Sequence, residues 1–155
     1  MIQRPEQPFR YVMRVRYGEC DAQRVVFNAR YGEYVDLACM EFFRVALPKD
    51  LDPLGGGFEI MLVKQTTEWK GSCRFDDVIE ISTWVKEMGN TSFTIRYEIR
   101  VADDPTVRVA SDTVYVHVLE GKDHVFTKAP IPERARTALL QGGSGKIVDQ
   151  SGRSA

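Results

Sequence analysis

Between positions 29 and 45 the apolar residues Tyr31, Tyr34, Val35, Ala38, Phe42 and Val45 recur every three or four positions, and Leu37, Met40 and Phe43 widen the stripe. A helix this apolar has to be largely buried. At 1.5 Å per residue, about 17 residues make a rod of roughly 25 Å, comparable in length to the strands that could cover it. Pro48, Asp50, Asp52, Pro53 and the triplet Gly55-Gly56-Gly57 then stop the helix and let the chain change direction.

The segments on either side read as strands. Upstream, Tyr11, Met13, Val15 and Tyr17 alternate with Val12, Arg14 and Arg16, which predicts a first strand with one apolar face. Downstream, 58–70, 78–88, 92–102 and 107–119 are rich in β-branched and aromatic residues, separated by Asp76-Asp77, Gly89-Asn90 and Asp103-Asp104-Pro105 turn signals. In the third of these, Phe93, Ile95, Tyr97, Ile99 and Val101 share one face. The four are expected to form an antiparallel meander. Pro130 and Pro132 open a short helix through Arg134, Arg136 and Leu139, and Gly142-Gly143-Ser144-Gly145 begins a polar tail expected to be disordered. The chain therefore reads as one α+β domain over 1–141 with a tail over 142–155, its antiparallel sheet curled around one helix.

Composition narrows the function classes. With 155 residues, 43% hydrophobic and 28% charged, the chain has enough apolar residues for one real core. Its net charge of −1 gives no overall attraction to nucleic acid or acidic membranes, so neither is an expected partner. Cys20, Cys39 and Cys73 lack CxxC or Cys/His spacing, which argues against a disulfide framework and a metal site and suits a reducing cytoplasm. No apolar signal core opens the chain, and no run approaches the ~20 apolar residues of a membrane helix.

Asp21 is the residue that suggests chemistry. It lies in a short loop just ahead of the long helix, where free backbone N–H groups can hold a developing oxyanion. An aspartate before a helix is ordinarily an N-cap or an Asx turn, but Asp21 stands several positions ahead of the helix start. Asn28 sits where an N-cap side chain and an oxyanion donor coincide. Tyr17 reads first as core at the strand end. Asp36 reads either as a solvated helix residue or as a group facing an acyl pocket. Glu33 and Glu41 read as a solvent-facing stripe, His117 and His124 as surface or satisfied strand histidines, and Cys20 as packing.

The run Tyr17-Gly18-Glu19-Cys20-Asp21-Ala22, followed by Val25-Val26-Phe27-Asn28-Ala29-Arg30-Tyr31 and by Asp36, resembles the 4-hydroxybenzoyl-CoA thioesterase group of hot-dog-fold acyl-CoA thioesterases. The similarity extends over about 11–132. It implies a long central helix wrapped by a curved antiparallel sheet of five or six strands, in a homodimer or homotetramer with active sites at subunit interfaces. It also implies hydrolysis of an acyl-CoA thioester to a carboxylate and free CoA, with no cofactor beyond the CoA of the substrate. Asp21 matches the family's catalytic aspartate, as nucleophile or general base; Asn28 matches the residue addressing the thioester carbonyl, and Tyr17 a tyrosine some members use nearby. Tyr31, Asp36 and the turn residues Asn90 and Ser92 are the expected substrate contacts, with Arg74, Lys86, Arg96, Arg100 and Lys128 as candidates for the CoA phosphates. Two residues depart from the family: Arg24 stands where glycine is common, and Asn28 is not the histidine of some relatives. Those departures keep open a non-catalytic acyl-CoA-binding protein, and the same fold also admits a thioesterase acting on acyl carrier protein thioesters.

Overall fold

The computed structural model describes residues 1–53 and 55–153. Strand β1 (Phe9–Arg14) leads through a short loop into α1 (Tyr31–Ala46). Strands β2 (Ile60–Trp69), β3 (Val78–Met88), β4 (Ser92–Val101) and β5 (Val109–Glu120) follow. A short β6 (Phe126–Lys128), the helix α2 (Glu133–Gln141) and β7 (Ile147–Asp149) complete the strands and α-helices of the described residues. The sheet order is β2-β5-β4-β3-β1-β7, with β6 added to the end of β5; every pairing is antiparallel except β1 with β7.

This is the hot-dog arrangement, an α+β fold in which the sheet covers one long helix. The stripe on α1 buries Tyr34, Val35, Ala38, Cys39, Phe42 and Phe43 in the same cluster as Phe93, Ile95, Tyr97 and Ile99 of β4 and Ile79 and Ile81 of β3. The Val, Ile and Phe side chains among these contribute about 1.5–3 kcal/mol each when fully buried, so helix and sheet stabilise each other more than either is stable alone.

Three expectations need correction. The four later strands are not one meander: β3, β4 and β5 are, but β2 joins β5 at the far edge, because α1 carries the chain across the sheet before β2 begins. The polar tail is not disordered over its described residues. Its β7 pairs with β1, Tyr11 Oη donates to Gln150 Oε1 at 2.7 Å, and Arg14 Nε donates to the Ser151 carbonyl at 3.1 Å. With β6 and β7 the strands number seven rather than five or six. The tail also explains why β1 departs from simple alternation: Val12 is buried beside Tyr11 and Met13, and its carbonyl accepts from the Gln150 N–H at 2.8 Å.

Candidate active site

The loop from β1 to α1 is organised by a side chain that the sequence reading passed over. A single 3₁₀ turn at Tyr17–Glu19 points Glu19 inward, where it is 5% exposed. Its carboxylate accepts from the Arg16 N–H at 2.7 Å, from Arg16 Nη2 at 2.9 Å and from Tyr34 Oη at 2.9 Å. Burial alone would raise its pKa, but these donors outweigh it and hold the group below the usual carboxylate range. The signal available in the sequence was the Arg16-to-Glu19 spacing, which lets Glu19 reach back to the backbone where the turn begins.

Past Glu19 the chain doubles back. Cys20 bridges Val26, the Asp21 N–H donates to the Val25 carbonyl at 2.9 Å, and the Arg24 N–H donates to the Asp21 carbonyl at 2.9 Å. Arg24 takes φ of 65°, the left-handed region that favours glycine, so the long side chain does not prevent the turn. The loop is stitched to 73–75: Val26 N–H to Cys73 O at 2.9 Å, and Phe75 N–H to Arg24 O at 3.2 Å. A short 3₁₀ turn, Asn28–Arg30, then opens α1. Its first hydrogen bond is Arg30 N–H to Phe27 O at 2.8 Å, so the N–H groups of Asn28 and Ala29 precede the helical ladder.

Asp21 ends up exposed at the tip of this loop. Oδ1 accepts from the Gln23 N–H at 2.8 Å, an Asx turn that fixes the carboxylate's direction, and Oδ2 has no hydrogen-bond partner among the described residues. The ordinary reading of this aspartate is therefore realised, and it leaves one oxygen for chemistry. An open cavity of about 580 Å³ surrounds it, lined by Tyr17, Cys20, Asp21, Arg24 and Phe75 among others. Tyr17 is not core, contrary to expectation: it is 81% exposed and packs edge-on against Phe75, ring centroids 5.8 Å apart. The strand stops at Arg14, so the alternation that would have turned Tyr17 inward has ended.

The other expected site residues fall elsewhere. Tyr31 is no surface contact; it is buried, its hydroxyl accepts the Cys73 N–H at 3.0 Å, and burial raises its pKa. It anchors the loop, because a tyrosine this deep needs a polar partner for its hydroxyl. Asn28 lies at the helix entrance outside the cavity lining, and its carbonyl accepts from the Trp69 indole N–H at 3.2 Å. Asp36 is on the exposed face of α1, where neighbouring protein desolvates its carboxylate enough, with Glu33 adding repulsion, to raise its pKa. Asn90 and Ser92 occupy the β3–β4 turn, at the opposite end of β3 from Val78 and Asp77, whose carbonyl binds the start of the loop. Eleven residues of β3 span about 33 Å, so within one chain this turn does not reach Asp21.

His117 is buried, with Nδ1 2.8 Å from the Glu59 carbonyl, and Glu33 and Glu41 pair with Arg30 and Arg44. Lys86 and Arg96 are held by Asp112, and Arg100 by Glu98, which leaves Arg74 and Lys128 as the unpaired members of the phosphate candidates. Burial first, then the charges of Glu19, Asp21 and Asp77, push the Cys20 thiol up, away from thiolate chemistry. Among the described residues no group of three His, Cys, Asp or Glu is placed to hold a metal, and no helix is long and apolar enough to cross a membrane.

Residues 23–108 match the model of the thioesterase superfamily, more than half of the chain. The chain belongs to the thioesterase superfamily. Its class of chemistry is thioester hydrolysis. It is 28% identical over 126 residues to the acyl-CoA thioester hydrolase YbgC of Escherichia coli, covering 81% of this chain and 94% of that one. The fold is shared with the 4-hydroxybenzoyl-CoA thioesterase of Pseudomonas sp. strain CBS-3 (TM-score 0.73, 20% identity, covering 85% and 99% of the two chains). It is also shared with the dynemicin thioesterase (TM-score 0.78, 16% identity, covering 91% and 98%). Asp21 lies just before the matched segment, so its role has to be argued from the loop itself.

Proposed function

We propose that this thioesterase hydrolyses acyl-CoA, with Asp21 as the group that attacks the thioester carbonyl or removes a proton from the attacking water. The observation that carries the reading is the Asp21 carboxylate, aimed by the Gln23 N–H, with Oδ2 free in an open cavity. In the nucleophilic form, Oδ2 adds to the carbonyl carbon, the C–S bond breaks to release CoA thiolate, and water then cleaves the mixed anhydride. In the general-base form, Asp21 accepts a proton as water adds and the same C–S bond breaks. Either route develops negative charge on the carbonyl oxygen, and the N–H groups of Asn28 and Ala29, which precede the helical ladder at the α1 entrance, are the donors this reading assigns to it. Both routes consume one water and need no cofactor beyond the CoA of the substrate.

A homodimer completes the site in this reading. β2 is a free edge with Met61, Leu62, Val63 and Trp69 exposed, which is surface that a second copy would cover. Pairing β2 with its own copy about a twofold axis sets the Ile60 end of one strand beside the Trp69 end of the other. Trp69 touches Asn28, and Met61 pairs with the same Val116 as Ser92. The Asn90–Ser92 turn of one copy is thereby brought toward the Asp21 end of the other, which supports a role for that turn in holding CoA. The free thiols of Cys20, Cys39 and Cys73 suit a reducing cytoplasm.

The test follows thiol release from a panel of aryl- and aliphatic acyl-CoAs with wild type and Asp21→Asn side by side. A fall in kcat of about 10³ or more in the variant is expected. Equal rates in the two proteins would remove Asp21 from the mechanism. The same pair assayed on acyl carrier protein thioesters separates CoA from carrier substrates.

A further inference from the structure

The Asp21 loop carries an exposed cation, Arg24. Among the described residues the Arg24 guanidinium has no hydrogen-bond or ion-pair partner, although its backbone is bonded on both sides, to Asp21 and to Phe75. Its φ of 65° is one that glycine adopts at less cost, so the loop keeps a long charged side chain where chain geometry alone would prefer none. Arg24 lines the same cavity as Asp21, and the exposed Tyr17–Phe75 pair forms an apolar wall there. An exposed aromatic pair beside an unpaired guanidinium and a carboxylate is a recognition surface rather than a packing element.

We propose that Arg24 makes this site select thioesters whose acyl group carries an anionic substituent, with the apolar body of that group against Tyr17 and Phe75. The inference rests on the reading that the thioester carbonyl meets Asp21. A negatively charged acyl group approaching the Asp21 carboxylate is repelled, and a guanidinium on the other side of a four-residue turn offsets that repulsion. Neutral acyl groups give Arg24 no such task. The CoA phosphates are the other anions in the substrate. They are separated from the thioester by the whole pantetheine arm, longer than an arginine side chain can bridge, whereas a carboxylate on the acyl side lies only a few bonds from the carbonyl.

Two matched substrate pairs test this: 4-carboxybenzoyl-CoA against 4-methylbenzoyl-CoA, and adipyl-CoA against hexanoyl-CoA. Wild type is expected to prefer the anionic member of at least one pair by about tenfold in kcat/KM, as for a hydrogen bond to a charged group. Arg24→Gln should bring that ratio near one, Arg24→Lys should restore part of it, and added salt should shrink it in wild type. A ratio unchanged in Arg24→Gln, or a preference for the neutral members in wild type, overturns the proposal. An equal fall on both members of each pair also overturns it, because it would assign Arg24 to the CoA portion or to the loop's integrity. Dissociation constants of non-hydrolysable thioether analogues of the same pairs separate this inference from the catalytic one. If the analogues show an Arg24-dependent preference and no thioester is turned over, selectivity stands and the catalytic reading falls. If Asp21→Asn abolishes turnover and Arg24→Gln leaves every ratio intact, the reverse holds.

Discussion

The two edges of the sheet are finished in opposite ways. At one edge β2 runs ten residues with a single irregularity between Leu62 and Lys64, and Met61, Leu62 and Val63 stand exposed on both of its faces. At the other, β7 adds three residues to β1, and the tail around it is pinned by side chains: Arg14 to the Ser151 carbonyl, and Arg153 to Glu80 and Asp149. A long edge with unpaired backbone groups and exposed apolar side chains is a template for another strand, whereas a short edge flanked by charges resists one. The difference assigns the two edges different tasks. In the proposed homodimer β2 is the surface that meets the second copy, while at the other edge the tail already covers β1.

The strongest way to break this comparison is Leu62→Lys with Val63→Lys, which places like charges on both faces of β2. If β2 joins two copies as proposed, the mass measured by light scattering is expected to fall to that of one chain, and thioesterase activity to fall by about 100-fold or more with the loss of the second copy's part of the site. Persistence of the dimer would show that β2 is not the edge it uses. Removing 145–155 is expected to leave the dimer in place but to destabilise the fold by about 2 kcal/mol, from the lost Tyr11, Val12 and Arg14 hydrogen bonds, read by chemical denaturation. A tail whose removal changed nothing would end its role as an edge cap. Arg24→Gly touches neither edge and is expected to raise stability by about 0.5–1 kcal/mol through relief of the left-handed backbone, less what glycine adds to the unfolded chain's freedom.

The smallest effect concerns acid. The Asp149 carboxylate accepts from the Ser151 N–H at 2.9 Å and from Ser151 Oγ at 2.6 Å, which holds its pKa below the ordinary aspartate value. A depressed folded pKa stabilises the attached tail above the unfolded value near 4, and that contribution disappears as pH falls through the folded value. Protection of the 147–151 amides, relative to their intrinsic exchange rate at each pH, should therefore fall below about pH 4 while β3 and β4 remain protected. Uniform loosening of tail and sheet would mean that the tail does not respond as a separate unit.

Much of the fold was legible because it is written in periodicity. The α1 stripe, the alternation from Phe93 to Val101 and the position of β3 follow from which residues must leave water, and local spacing carries that information. Strand order was not legible. The segments 70–77 and 102–108 both carry paired aspartates, yet one returns across the sheet and the other closes the β4–β5 hairpin. In the site, Asp21 and its loop could be read from the sequence, whereas the roles of Tyr17, Tyr31 and Glu19 could not. A tyrosine's type is the same whether its ring meets Phe75 in solvent or its hydroxyl meets the Cys73 N–H in the core.

By itself the sequence determined that one helix would be buried under antiparallel strands and that a carboxylate would stand just ahead of it. Both depend on neighbours within a few residues, where spacing translates directly into geometry. Only the tertiary structure decided which strand was left as a free edge, that Glu19 would be buried against Tyr34, and that Arg24 would share a cavity with Asp21 without pairing to it. Those outcomes depend on where α1 delivers the chain and on which backbone groups lack partners once the sheet has closed over the helix.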